Sequence, residues 1–219
     1  MFDQIKIDHY LQQNLEHGAA LISQAFNQKQ LQIFFEECQT LKFSRPEIVS
    51  DVRQKFTRFA FQKTDVPKNI PAITKLRQDI ETWVQSSKNF AQLRDWQAYD
   101  TVIQKYSHDG ELGAHLDLKR HPGVIVICSI SGACVFAILH SKKGPVKFAL
   151  QPQPGDILLL RAPGLSGDPN LDDRPPHWVS GNIHESDPFR ISVTFRHNLK
   201  PAQPIRAFSY DHPQRSNDV

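Results

Sequence analysis

With 219 residues, 39% of them hydrophobic and 22% charged, the chain is long enough to bury a core within one soluble domain. A net charge of +3 permits an anionic partner without demanding one. Cys38, Cys128 and Cys134 form no C-x-x-C pair, the first residues hold no apolar signal segment, and no apolar run approaches a membrane span, so a reduced, cytoplasmic, monomeric chain is expected, with no membrane contact.

In chain order, Ala19–Ala25 reads as a short buried strand or the start of a helix. Asn27 and Gln30 then form a capping box, and Leu31, Phe34, Phe35, Cys38 and Leu41 recur at helical spacing, which predicts an amphipathic helix over 28–41. In 42–63 the balance turns basic: Lys42, Arg45, Arg53, Lys55, Arg58 and Lys63 stand against Glu47 and Asp51, and Phe56, Phe59 and Phe61 interleave with them. Bases among rings suit a nucleic-acid strand, and the competing reading is an edge strand whose phenylalanines face the core. Pro67 and Pro71 bracket the start of a second helix, with Ile73, Leu76, Ile80 and Val84 on its apolar face, ending near Ser87. From Trp96 onward the period shortens, and strands are predicted at 98–106, 113–118, 123–130, 133–140, 146–150, 156–161 and 189–197, punctuated by Gly, Pro, Asn and Asp. Helices followed by short strands give an α+β chain: a double-stranded β-helix, or jelly roll, with N-terminal helices packed on one face.

The chemistry centres on His115-Leu116-Asp117. On an extended strand an imidazole and a carboxylate two residues apart face the same way and can grip one metal ion. A later histidine would complete a two-His, one-carboxylate triad, which leaves open positions on iron(II); a solvated surface pair is the competing reading. Among later histidines, His121 is too close to Asp117, His140 ends a strand beside Lys142 and Lys143, and His184 sits in a polar loop. His177, at the mouth of a late strand, is the choice. Arg190, Ser192, Thr194 and Arg196 share one face of their strand. Turned inward, the two arginines would require an anion, and a small dicarboxylate would satisfy both; turned to solvent, they make an ordinary edge strand.

Tyr106 and Gly110, His115-x-Asp117, Pro154-Gly155-Asp156 with its four apolar followers, His177 and Arg190-x-Ser-Val-Thr-Phe-Arg196 occur in an order that resembles the AlkB-type Fe(II)/2-oxoglutarate-dependent dioxygenases over residues 98–199. The resemblance implies that His115, Asp117 and His177 bind iron(II). Arg190 would hold the distal carboxylate of 2-oxoglutarate with help from Tyr106, and Ser192 and Arg196 would act near its proximal carboxylate and Asp117. It implies an enzyme that uses O2 and 2-oxoglutarate, releases succinate and CO2, and hydroxylates a C–H bond; on an N-methyl group the product loses formaldehyde. Gln104 and Ser192 stand where that family often has Asn, and Leu118-Lys119-Arg120 follows the H-x-D where base-repairing members often carry acids.

The expected organisation is a helical extension over 1–97 that includes a lid at 42–63, a dioxygenase core at 98–199, and a tail at 200–219, all in one structural unit. The lid would contact single-stranded nucleic acid, with Arg53, Lys55 and Arg58 on phosphates and Phe56 stacking on a base. The alternatives are a hydroxylase or demethylase of a protein or small molecule on the same scaffold, and a jelly-roll binding module without activity.

Overall fold

The computed structural model describes residues 2, 4–46, 52–168 and 171–199. In chain order its helices are α1 (Ile7–His17), α2 (Gln28–Gln39) and α3 (Pro71–Gln85). Its strands are β1 (Ala19–Ile22), β2 (Gln54–Lys55), β3 (Thr57–Gln62), β4 (Asp100–Tyr106), β5 (Glu111–His115), β6 (Val124–Ser131), β7 (Phe136–Leu139), β8 (Val146–Leu150), β9 (Ile157–Arg161), β10 (His177–Ser180) and β11 (Arg190–Arg196). They form two antiparallel sheets, β1-β9-β6-β11-β4-β3 and β2-β5-β10-β7-β8. From β4 to β11 the chain winds back and forth between the sheets, which is the expected jelly roll.

The helices start where side chains satisfy their free amides. Asn27 accepts from the Gln30 amide at 3.0 Å while the Gln30 side chain accepts from the Asn27 amide at 2.9 Å, a reciprocal cap in which the Asn contributes about 1 kcal/mol. Pro71 opens α3, and Glu37 reaches from α2 to accept from the Ala72 and Ile73 amides at 2.7 and 2.8 Å. That contact puts a carboxylate at the positive end of the helix dipole and locks α2 to α3. Helix α1 escapes sequence reading because Lys6 provides no side-chain cap and Asn14, fully buried, takes a core position beside Ile7 and Leu11.

Both faces of the larger sheet are buried. Ile191, Val193 and Phe195 of β11 face outward with Ile103, Val126, Cys128 and Leu159, and pack against Leu11, Phe34, Leu76 and Ile80 of the helices. Each side chain of this kind contributes roughly 1.5–3 kcal/mol on burial. The inner face carries the alternate residues, aligned by register in rows across β11 and β4: Arg190 with Tyr106, Ser192 with Gln104, Thr194 with Val102, Arg196 with Asp100. On the β1-β9-β6 side the space between the sheets is filled by Ile125, Leu158, Leu160, Phe136, Ile138 and Val179.

The Pro154-Gly155-Asp156 segment is a turn with a structural task. Gly155 has φ +99°, which favours glycine, and the Asp156 carboxylate accepts from the amides of Gln24 and Gln153 at 3.0 and 2.8 Å, tying the end of β1 to the start of β9.

The first 97 residues, expected to be helical, also supply β1, β2 and β3, because both sheets need edge partners. Within 42–63, β3 is the edge of the larger sheet and β2 the edge of the smaller, so this stretch bridges the two. Residues 47–51, and the tail at 200–219, lie outside the described residues.

Candidate active site

His115 ends β5, His177 begins β10, and the two are register partners. Antiparallel pairing thereby joins positions far apart in sequence, with ring centroids 4.1 Å apart. Asp117 lies just past the strand end, its Oδ2 3.5 Å from His177 Nε2. One donor atom from each of the three residues lies within 4.8 Å of the others. His115 Nδ1 is 2.8 Å from the Gly113 carbonyl and His177 Nδ1 is 3.0 Å from the Pro175 carbonyl. An Nδ1–H that donates to a carbonyl leaves the Nε2 lone pair for a metal and fixes the ring plane. Phe136 stacks on His177 at 5.2 Å and 10°.

Burial, reinforced by neighbouring His177, pushes the His115 imidazole down to about 3, and burial moves His177 the same way, so both rings are neutral at physiological pH, the form that can ligate a metal. Burial alone would push the Asp117 carboxyl up. Arg196, His177 and His115 outweigh it and hold the group well below the usual carboxylate range. Arg196 Nη2 is 3.0 Å from Asp117 Oδ1.

Arg174 does a job that sequence reading missed. Its guanidinium pairs with Asp172 at 2.6 and 2.8 Å and donates to the Asp117 backbone carbonyl, while Lys119 pairs with Asp172 at 3.0 Å. The loop before β10 is thereby latched to the loop after β5, which fixes Asp117 relative to His177. Lys119 belongs to this latch, and Leu118 points into the cavity beside the metal site. The charged run Asp172-Asp173-Arg174 before Pro175-Pro176 was the available sequence signal, but nothing in it named the partner of Arg174.

Behind the triad, Arg190 is 2% exposed, and its Nε and Nη1 have no hydrogen-bond partner. The hydroxyls of Ser192 and Thr194 on the same face, and of Ser129 beside Ser192, are likewise buried and unpartnered. The Tyr106 ring lies 5.0 Å from the Arg190 guanidinium, and burial pushes its phenol up, keeping it protonated. A buried guanidinium without a counter-ion costs several kcal/mol, which an anionic occupant would offset. The residues therefore fit a bound dicarboxylate: Arg190 and Tyr106 for one end, and Ser192 and Arg196 nearer the triad.

A narrow cavity of about 40 Å³ adjoins the triad. It is lined by His115, Asp117, Arg196, Gln54, Phe56, Arg58, Val102, Gln104, Leu112, Leu116 and Leu118. Gln54 and Phe56 also line a larger groove of about 520 Å³, with Arg45, Lys55, Lys105 and Asp109 among its other walls. The residues expected to touch substrate part company here. Phe56 and Arg58 face the cavity, Phe56 stacked on Tyr106 at 5.0 Å; Lys55 lines the outer groove; Arg53 pairs with Glu111 at 3.1 Å in a separate depression. Phe59 and Phe61 pack with the helices, so of the three rings only Phe56 is placed to meet a substrate. Of the two cavity-lining Gln, the sequence reading marked Gln104 only as standing where the resembled family often has Asn, and it passed over Gln54.

No family model matches the sequence, and no curated protein matches it. Solved structures do match in fold. A prolyl-4-hydroxylase from Pseudomonas putida aligns with TM-score 0.58 and 12% identity, over 87% of this chain and 97% of that one. A Trichoplax adhaerens prolyl hydroxylase, solved in complex with a hypoxia-inducible-factor peptide fragment, aligns with TM-score 0.62 and 13% identity, over 90% and 91%. OsALKBH1 aligns with TM-score 0.53 and 14% identity, over 82% and 98%. The likeness is one of fold: the chain shares the architecture of these structures and, at its centre, carries His115, Asp117 and His177, whose donor atoms could hold one metal ion.

Proposed function

We propose that the protein oxidatively demethylates alkylated single-stranded nucleic acid. The observation that carries this reading is the continuity between the metal cavity and the basic groove of Arg45, Lys55 and Lys105 through the shared residues Gln54 and Phe56. Lysines and arginines beside a deep site can follow phosphates while one base enters the site, and an unpaired strand makes that entry cheapest. His115, Asp117 and His177 hold the metal, and Arg190 with Tyr106 holds the distal carboxylate of the cosubstrate. Iron(II) and 2-oxoglutarate, when bound, supply the oxidation: O2 gives one oxygen atom to succinate, with loss of CO2, and the other to the substrate carbon. Leu112, Leu116, Leu118 and Val102 exclude water from that carbon. A hydroxylated N-methyl group then loses formaldehyde and regenerates the N–H.

The test is succinate and formaldehyde formation by iron-loaded protein given ascorbate, 2-oxoglutarate and a methylated single-stranded oligonucleotide. Formaldehyde in step with succinate supports the reading. Stimulation by a peptide, with none by any oligonucleotide, replaces it with a protein hydroxylase.

A further inference from the structure

On β10, His177 and Val179 face the interior, so Trp178 between them faces out from the smaller sheet. Its register partner is Ala137, whose own partner is Ala149, so only small side chains stand beside the indole along that row. Trp178 is half-buried, and among the described residues no other ring stacks on it. It borders a depression of about 360 Å³ whose other walls include Ala114, Arg53, Glu111, Lys142 and Lys143. Arg53 is already met by Glu111 at 3.1 Å. Lys142 and Lys143, in the turn between β7 and β8, are exposed and enter no ion pair among the described residues.

This depression lies next to the groove that leads to the metal cavity. Arg53, Gln54 and Lys55 are consecutive at the edge strand β2, and each serves a different wall. Arg53 lines the depression and Lys55 the groove, while Gln54, its amide nitrogen buried with no hydrogen-bond partner, lines both the cavity and the groove. Two residues of extended chain span about 7 Å. A single strand that runs along the groove and leaves over β2 therefore meets Lys142, Lys143 and the ring of Trp178. An indole face stacks a base whatever its identity, and lysines beside it can neutralise the flanking phosphates. An extended peptide is less well served, because β10 is already paired on both sides, with β5 and β7, and offers no free ladder to join. Resting on the nucleic-acid reading above, we propose that Trp178, Lys142 and Lys143 form a second strand-binding surface, which takes nucleotides flanking the target base where the strand leaves the groove over β2.

The probes are single strands of four and of twelve nucleotides, each with one methylated base. Binding to manganese-loaded protein with 2-oxoglutarate is read by fluorescence anisotropy across a salt series. Trp178→Ala is expected to weaken the longer strand by on the order of tenfold, the worth of one stacked base. The double substitution of Lys142 and Lys143 by Ala is expected to lower its slope of log affinity against log salt by about 1.4, the share of two phosphate contacts. The shorter strand, held by the groove and cavity alone, is expected to bind these variants and the wild type alike. Trp178→Tyr, which keeps a ring, is expected to recover most of the lost affinity. Inorganic polyphosphate, which carries charge and no bases, is expected to respond to the lysines and not to Trp178. Variants that change both lengths equally, or neither, overturn the proposal and leave the nucleic-acid reading standing. A lysine effect without a Trp178 effect overturns it too, because it marks a patch of charge and not a stacking surface. If the wild type binds neither strand even at low salt while 2-oxoglutarate is still consumed, the nucleic-acid reading fails and this one falls with it. Should Trp178→Ala not unfold cooperatively, Trp178→Leu, which keeps apolar bulk without a ring, takes its place.

Discussion

Arg196 on the larger sheet and Asp117, just past the end of β5 in the smaller one, meet at 3.0 Å and span the interior of the jelly roll. The pair engages Asp117 Oδ1 and leaves Oδ2 facing His177 Nε2 at 3.5 Å. Arg196 thus orients Asp117, the proposed metal ligand, as well as keeping it ionised. Arg196→Met is expected to weaken manganese binding by roughly 10- to 100-fold, the usual cost of losing a group that orients a ligand. Isothermal titration with manganese measures it, and unchanged affinity would confine Arg196 to cosubstrate contact.

His115→Ala, Asp117→Ala and His177→Ala are each expected to abolish iron-dependent turnover of 2-oxoglutarate. His184→Ala is expected to leave turnover intact, because His184 pairs with Asp187 at 3.3 Å in a loop of its own. Succinate formation checks all four, and the reverse pattern for His177 and His184 would displace the third ligand.

Much of this was legible because local patterns and the tertiary environment agree. The capping box at Asn27 starts α2, the period-2 segments from Asp100 onward became strands, and the alternation in β11 separates Arg190, Ser192, Thr194 and Arg196 from Ile191, Val193 and Phe195. What stayed hidden depended on partners distant in sequence. Alternation in β3 shows that Arg58 and Phe59 face opposite ways, but both faces of the larger sheet are covered, so the sequence alone cannot tell which face meets the metal. Strand β10 has four residues after a proline pair: the sequence shows a strand opening at His177, but not that it pairs with β5 and β7. The Gln54 amide matters only because β2 pairs with β5 beside the triad.

Stability of the metal-free protein should depend steeply on pH. Burial, with His177 beside one and Arg196 beside the other, holds His115 and His121 down to about 3, and burial moves His177 the same way. Unfolded imidazoles protonate near 6.5. Below that pH the unfolded chain takes up protons that the folded chain refuses, so stability falls as pH drops from 6.5 toward 3 and is flat above about 7.5. His115 and His121 each contribute about 1.4 kcal/mol per pH unit across that window, and His177 adds to the slope in the same direction. Urea unfolding at pH 7, 6 and 5 tests the slope, and equal midpoints at pH 7 and 5 would contradict it. His121→Gln is expected to make the slope shallower by one imidazole's share.

Arg190 should set cosubstrate affinity at the expense of the empty protein. Its unpartnered nitrogens lie 2% exposed beside Tyr106. Arg190→Met removes a buried charge, so the ligand-free protein is expected to melt at or above the wild-type temperature. The same change removes a charge-assisted pair with the cosubstrate and should cost on the order of 2–5 kcal/mol of binding, about a thousandfold mid-range. Thermal unfolding with and without 2-oxoglutarate, in manganese, reads both effects at once. A variant that 2-oxoglutarate still stabilises as it does the wild type would take Arg190 out of the site.

The basic residues of 42–63 should separate into two classes on a salt series. Lys55 and Arg45 are exposed on the walls of the outer groove, where phosphates would pass, whereas Arg58 is buried at the cavity, where a base would enter. Arg53 is already paired with Glu111, an exposed contact worth less than about 1 kcal/mol, and stands in a separate depression. For a single strand, each lost phosphate contact reduces the slope of log affinity against log salt by about 0.7. The double substitution of Arg45 and Lys55 by Ala should therefore lower the slope by about 1.4 for a methylated oligonucleotide, twice that single-contact value. Arg53→Ala should change it by less than one contact. Arg58→Gln should alter affinity at every salt concentration and leave the slope alone, because a group that reads a base releases no counterion from the backbone. If Arg58→Gln makes the slope shallower and the groove pair does not, the strand runs over the cavity instead of along the groove, and the division between phosphate contacts and base contacts is reversed.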